Sequence, residues 1–180
     1  LRVGGPAARW VEATDEGTLI DAVTRADRAA EPVLILSGGA NVGVSDAGFD
    51  GTVVHVATSG TSAEGASCTL DAASCGGVLV EVAAGENWCD FVDWTVENEL
   101  VGVEALAGIP GAVGSTPIQN VGAYGQEISQ TLWNVRTWDR QEGAQRVFAN
   151  ADCHFGYRWS RFKAEPDRYF VLGVTFQFTQ

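Results

Sequence analysis

Between Ile109 and Gly125 the chain carries four glycines (Gly111, Gly114, Gly122, Gly125), two prolines and no charge, all within seventeen residues. Proline removes a backbone donor and glycine disfavours both regular elements, so the segment suits neither helix nor strand. It must be an ordered loop, and the elements around it have to be arranged to carry it. Its polar groups are two hydroxyls (Ser115, Thr116), two carboxamides (Gln119, Asn120) and one phenol (Tyr124). A loop of that chemistry can run along an extended, mostly planar ligand, donating to phosphate and ring heteroatoms where the glycines let the backbone come close.

A second loop has the same character. Ser37-Gly38-Gly39-Ala40-Asn41 follows Val33 to Leu36, a short, wholly apolar run of the kind found in strands buried on both faces. Adjacent glycines can turn successive N–H groups toward one point and form a nest for an anion, with Ser37 and Asn41 adding donors. The spacing is not G-x-G-x-x-G and no helical pattern follows, so a Rossmann site is disfavoured. Either loop alone is compatible with a structural corner or tight turn. Two donor-rich neutral loops in one chain favour ligand binding.

The charge distribution sharpens this. From Ala29 to Val135 there is no Lys or Arg, yet thirteen acids lie between Glu31 and Glu127. Over the whole chain 11 Lys and Arg face 23 Asp and Glu, a net charge of -12, which argues against nucleic acid and anionic membranes as partners. An anion bound in that stretch must be held by backbone N–H groups and neutral side chains. The four cysteines form no C-x-x-C pair and the two histidines, His55 and His154, are far apart, so no metal site is expected. Four cysteines in 180 residues are too sparse for a disulfide framework and read as free thiols in a reducing cytosol. No apolar run is long enough to span a membrane and no targeting pattern opens the chain, so a cytoplasmic location is expected. The chain begins at Leu1 and contains no Met, which reads as a processed or excised piece of something longer.

The remaining pattern is α+β. Thr14 is placed to cap a helix with an acidic first turn and Leu19, Ile20, Val23 and Ala26 at helical spacing. With Val33 to Leu36 and Thr52 to Ala57 as strands, the first unit reads strand, helix, strand, strand. The Ser/Ala/Gly-rich stretch Thr58 to Gly77 reads as a loop or weak hairpin and marks a boundary, giving a small α/β subdomain over residues 1–58 and an α+β subdomain with an antiparallel sheet over 59–180. In the second, Val78 to Ala83 is strand-like and Asn87 to Leu100 helical. Leu132 to Asp139 and Tyr169 to Thr179 are strands, the latter alternating Phe170, Leu172, Val174, Phe176 and Phe178 onto one face.

Several runs then carry a resemblance. Val80-Glu81-Val82-Ala83-Ala84-Gly85-Glu86-Asn87-Trp88, the loop ending Pro117-Ile118-Gln119-Asn120-Val121-Gly122-Ala123-Tyr124-Gly125, and Phe155-Gly156-Tyr157-Arg158 followed by Lys163 are similar to the UDP-N-acetylenolpyruvoylglucosamine reductases. Those are flavoenzymes that make UDP-N-acetylmuramate for bacterial cell walls. Arg2-Val3-Gly4-Gly5-Pro6-Ala7 and Gly38-Gly39-Ala40-Asn41 resemble that family too, and Pro-Ile-Gln-Asn is typical of the first of its two types. The match runs in order along the whole chain. It departs at Ser37, where glycine is commoner, and at Ala40, where serine is.

The resemblance implies a two-subdomain FAD-binding fold of the vanillyl-alcohol-oxidase and p-cresol-methylhydroxylase type, without the third, substrate-binding domain. It implies non-covalent FAD between the subdomains, NADPH as electron donor, and reduction of UDP-N-acetylenolpyruvoylglucosamine by hydride transfer from flavin N5, in a monomer. By motif, Ser37, Gly38, Gly39, Ala40 and Asn41 would meet the pyrophosphate. Gly111, Gly114, Ser115, Thr116, Ile118, Gln119 and Gly122 would line the flavin, and Tyr124 would lie on the substrate side. Arg158 would bind the enolpyruvyl carboxylate and stabilise charge accumulating there, whereas Arg161 and Lys163 read as surface or phosphate-side residues. The serine and glutamate that complete the family's chemistry match no segment of this chain, so these residues alone are expected to be inactive. Two alternatives are a flavin-dependent oxidase of small alcohols or sugars on the same fold, and a non-catalytic flavin-binding module. The oxidase is disfavoured because no histidine for covalent attachment stands near Gly38 in the sequence.

Overall fold

The computed structural model of the chain describes residues 4–65 and 77–179. Arg2, Val3, Cys68, Cys75 and most of the boundary stretch Thr58 to Gly77 lie outside the described residues. The elements in chain order are β1 (Ala7–Ala13), α1 (Glu16–Arg28), β2 (Val33–Leu36), β3 (Phe49–Val56), β4 (Thr61–Gly65), β5 (Val78–Ala83) and α2 (Trp88–Glu97). There follow β6 (Gly122–Ala123), β7 (Gln126–Glu127), β8 (Leu132–Asp139), β9 (Ala144–Ala149), α3 (Arg161–Ala164) and β10 (Tyr169–Phe178).

β1, β3 and β2 form a three-stranded parallel sheet in that order. Helix α1 crosses from β1 to β2 and buries Leu19, Val23 and Ala26 against it. Its cap is Asp15, not Thr14: the Asp15 carboxylate accepts from the Thr18 N–H at 2.8 Å and from its hydroxyl at 2.7 Å. A carboxylate is also the better partner for the positive end of the helix dipole.

The second sheet is antiparallel in the order β4-β5-β10-β8-β9. β10 lies at its centre, and the alternating residues Phe170, Leu172, Val174, Phe176 and Phe178 are all buried. Phe176 packs against Phe91 of α2 with ring centroids 5.2 Å apart, and Trp88 closes the cluster 6.3 Å from Phe176. β4 sits inside the stretch that reads as a loop or weak hairpin and pairs antiparallel with β5. The two-residue strands β6 and β7, the first of them inside the glycine loop, and β9, a largely exposed edge strand paired with β8, escape the sequence pattern.

Helix α1 also ties the two sheets together at both of its ends. Arg136 of β8 donates to both Glu16 carboxylate oxygens at 2.7 and 2.6 Å. Arg140, just past β8, does the same to Asp27 at 3.1 and 2.6 Å. These forked pairs fix the spacing between the sheets, and the cleft lies between them. Of the described cysteines, Cys153 is buried, which pushes its thiol up to about 12, and Cys89 is half-buried.

Candidate functional site

The first loop leaves the end of β2 and the second is pinned to the corner between β5 and α2. Gly114 N–H donates to the Ala84 carbonyl at 2.8 Å, Val113 N–H to Glu86 at 2.9 Å, and Trp88 N–H to the Gly111 carbonyl at 3.1 Å. Gly114 has to be glycine, because a Cβ there would come within 2.5 Å of the Ala84 Cβ. The two loops meet at Gly38, whose added Cβ would stand 3.3 Å from the Gly111 Cα.

Two adjoining cavities open where the loops meet. One, of about 350 Å³, is mostly apolar and lies between Val33, Ile35 and Val56 of the parallel sheet and Phe170 and Val171 of the antiparallel one. The other, of about 470 Å³, is bounded by Gly39, Ala40, Asn41, Gly111, Thr116 and Gln119. Ser37, Ser115 and Ile118 border both. Each volume is within the roughly 300–1,000 Å³ usual for small-molecule sites. Among the described residues, the backbone N–H groups of Gly38, Ala40 and Asn41 have no hydrogen-bond partner within the chain. Unpaired donors next to a cavity are what an anion needs.

The candidate residues divide between three places. Ser37, Gly39, Ala40, Asn41, Gly111, Ser115, Thr116, Ile118 and Gln119 come together around the larger cavity, and Gly114 faces the smaller. Gly38 borders neither cavity and packs against Gly111. Gly122 instead joins Tyr124 and Arg158 at a third cavity, of about 300 Å³. The hydroxyls of Ser115 and Thr116 donate to the Ala112 and Val113 carbonyls at 2.6 and 2.8 Å, so what they offer a ligand is an acceptor before a donor.

At the third cavity Arg158 has φ +50° and Tyr124 φ +51°, backbone conformations that L side chains rarely adopt. Arg158 Nη2 donates to the Gly122 carbonyl at 2.6 Å. Tyr124 and Tyr157 stand beside it, 94% and 85% exposed, and so available to contact a ligand. Sequence reasoning missed Asn120 as the brace of this region. It is buried, with φ +46°, and its amide donates to Glu127 at 2.9 Å and to the Gly156 carbonyl at 3.1 Å while its oxygen accepts from Ser129 N–H at 3.0 Å. The glycine loop is thereby tied to the turn that presents Arg158.

His55 qualifies the sequence argument against a nearby histidine. It pairs across the sheet with Leu36, two residues before Gly38. Its ring, however, stacks on Trp10 at 5.6 Å with Nδ1 3.9 Å from Glu12, and it lines neither cavity.

A parallel α/β layer and an antiparallel sheet, enclosing a two-chambered cleft bordered by neutral donor loops, define a flavin-binding domain of the vanillyl-alcohol-oxidase type. The comparisons agree with that class, and the chain belongs to the FAD binding domain family, which matches residues 7–147. It is 59% identical over 178 residues, 99% of its length, to UDP-N-acetylenolpyruvoylglucosamine reductase of Cutibacterium acnes. The structure of UDP-N-acetylenolpyruvylglucosamine reductase from Thermus caldophilus superposes with a TM-score of 0.71 at 26% identity, over 99% of this chain and 57% of that one. A vanillyl-alcohol-oxidase-type flavoprotein from Myceliophthora thermophila shares the fold, with a TM-score of 0.69 at 14% identity over 99% of this chain and 32% of that one. This chain spans about half the length of the curated relatives it matches, 46% for the Cutibacterium protein. No helix among the described residues is long and apolar enough to cross a membrane.

Proposed function

We propose that the chain is the flavin-binding part of a UDP-N-acetylenolpyruvoylglucosamine reductase. It holds FAD non-covalently in the cleft between the sheets, and the complete protein uses NADPH to reduce UDP-N-acetylenolpyruvoylglucosamine to UDP-N-acetylmuramate in peptidoglycan synthesis. The observation that carries this reading is the adjoining pair of cavities lined by both neutral loops, with N–H groups at Ala40 and Asn41 that are unpaired among the described residues. Ser37 to Asn41 would receive the pyrophosphate and Gly111, Ser115, Thr116, Ile118 and Gln119 the flavin, while Gly114 faces the smaller chamber and Gly122 the third cavity beside Arg158. The division into residues 1–58 and 59–180 follows the two sheets, and a cytoplasmic monomer fits the acidic chain.

When bound, FAD supplies the hydride chemistry; the chain's own groups do the positioning. Arg158 is anchored by one nitrogen to Gly122 and has further N–H groups for a carboxylate, in the planar fork suited to that partner. Its permanent charge can stabilise negative charge that grows on the substrate's carboxylate as the neighbouring carbon is reduced. Tyr124, exposed at the same cavity, would contact the sugar substrate.

The purified chain, mixed with FAD and passed through gel filtration, should keep flavin absorbance in the protein peak; a colourless peak would sink the flavin reading. In the complete protein, NADPH oxidation should depend on the UDP-sugar, and oxidation indifferent to that substrate would remove the assignment.

A further inference from the structure

The absence of Lys and Arg from residues 29–135 implies a cleft held by neutral groups alone, but the fold adds one cation from outside that stretch. Lys163 of α3 borders both cavities, together with Ser37, Ser115 and Ile118. Among the described residues, no other Lys or Arg borders the larger chamber. Arg140 borders the smaller one, but its guanidinium is engaged by Asp27 and the Asp167 carbonyl. The Lys163 ammonium has a single hydrogen bond, to the Arg158 carbonyl at 3.1 Å, and no ion pair among the described residues. Two of its three donors are therefore free.

Its position is fixed from below. Ser160, fully buried, caps α3 by accepting from the Phe162 N–H and donates its hydroxyl to the Ile118 carbonyl at 2.6 Å. That bond ties α3 directly to the glycine loop. A dinucleotide has its diphosphate midway between its two ring systems. Lying across both chambers, one ring system in each, it would bring its diphosphate to their junction.

Resting on the flavin reading above, we propose that Lys163 is the cationic contact of the FAD diphosphate and selects the dinucleotide over the bare flavin. The ammonium meets the phosphate oxygens from one side while the Ser37–Asn41 backbone N–H groups meet them from the other. Because Lys163 also donates to the Arg158 carbonyl, the bound diphosphate and the turn presenting Arg158 share one residue.

The test is fluorescence titration of flavin-free protein with FAD and, separately, with riboflavin, which has no phosphate. Lys163→Gln should raise the Kd for FAD about tenfold, the size of one charge-assisted hydrogen bond, and leave the Kd for riboflavin unchanged. It should also flatten the salt dependence of FAD binding. Lys163→Arg should restore most of both. An unchanged Kd for FAD in Lys163→Gln, or an equal loss for FAD and riboflavin, overturns the proposal while the flavin reading stands. Wild-type protein that takes up neither ligand overturns the flavin reading, and this proposal with it.

Discussion

The glycine-loop side of the cleft carries no Lys or Arg, whereas the adjoining segment from Arg158 to Lys163 holds three cations in six residues. The neutral side works by shape and local dipoles: bare backbone at Gly38 and Gly111, and, among the described residues, N–H groups left unpaired at Ala40 and Asn41. On the charged side each cation is tethered by a backbone carbonyl: Arg158 by Gly122, Lys163 by Arg158, and Arg161 by Asp152. A chain with a net charge of -12 can therefore hold an anion without a general positive field. Backbone donors make the cradle, and a few held cations supply charge where it is needed.

The widest separation between the two sides should come from Arg158→Ala in the complete protein. Turnover is expected to fall about 10²–10³-fold, as for loss of one preorganised charge-stabilising donor, with FAD retention within a few-fold. Equal loss of turnover and of FAD would make Arg158 structural and erase the contrast. On the neutral side, Gly38→Val should push the first loop off Gly111 and weaken FAD binding by at least about tenfold, without a comparable drop in thermal midpoint. Unchanged affinity would remove that loop from the site.

Smaller effects test the frame behind both sides. Burial alone would raise the Asp139 carboxyl, but hydrogen bonds from Arg168 and from the N–H groups of Glu142 and Gln141 outweigh it, holding the group below its ordinary 3.8. A carboxylate lowered on folding contributes stability that is complete above its unfolded value and is lost as pH falls through the folded one. The thermal midpoint should therefore drop below about pH 4 in the wild type, and Asp139→Asn should flatten that acid limb. Identical acid slopes would place the acid sensitivity elsewhere. Least of all, Asp27→Asn should cost about 1 kcal/mol, or ~2–4 °C in thermal midpoint, by loosening one of the two ties between α1 and the antiparallel sheet. No shift in midpoint would mean that the Arg136–Glu16 pair carries the clamp by itself.

Much of the fold was legible because its signals are local. β10 declares itself through five alternating buried residues, β5 through its β-branched run, and α2 through aromatics at helical spacing. What the sequence hides is set by pairing at a distance. β9 turns only Phe148 toward the core, and β4 lies in a stretch of small residues that reads as a loop or weak hairpin. The site follows the same rule. Both glycine loops stand out by composition, whereas the sequence leaves Lys163 as either a surface or a phosphate-side residue, and the docking of α3 on Ile118 through Ser160 brings it to the cleft. Asn120 was visible only as a carboxamide among loop residues; its left-handed backbone and three-way hydrogen bonding depend on Glu127, Ser129 and Gly156.

A crystal structure of the FAD complex would test the central claim most directly. The cofactor should span both chambers, adenine against Val33, Ile35 and Phe170, with its diphosphate within about 3.2 Å of the N–H groups of the Ser37–Asn41 loop and of Lys163 Nζ. FAD bound outside the cleft, or with its diphosphate touching neither the loop nor Lys163, would contradict it.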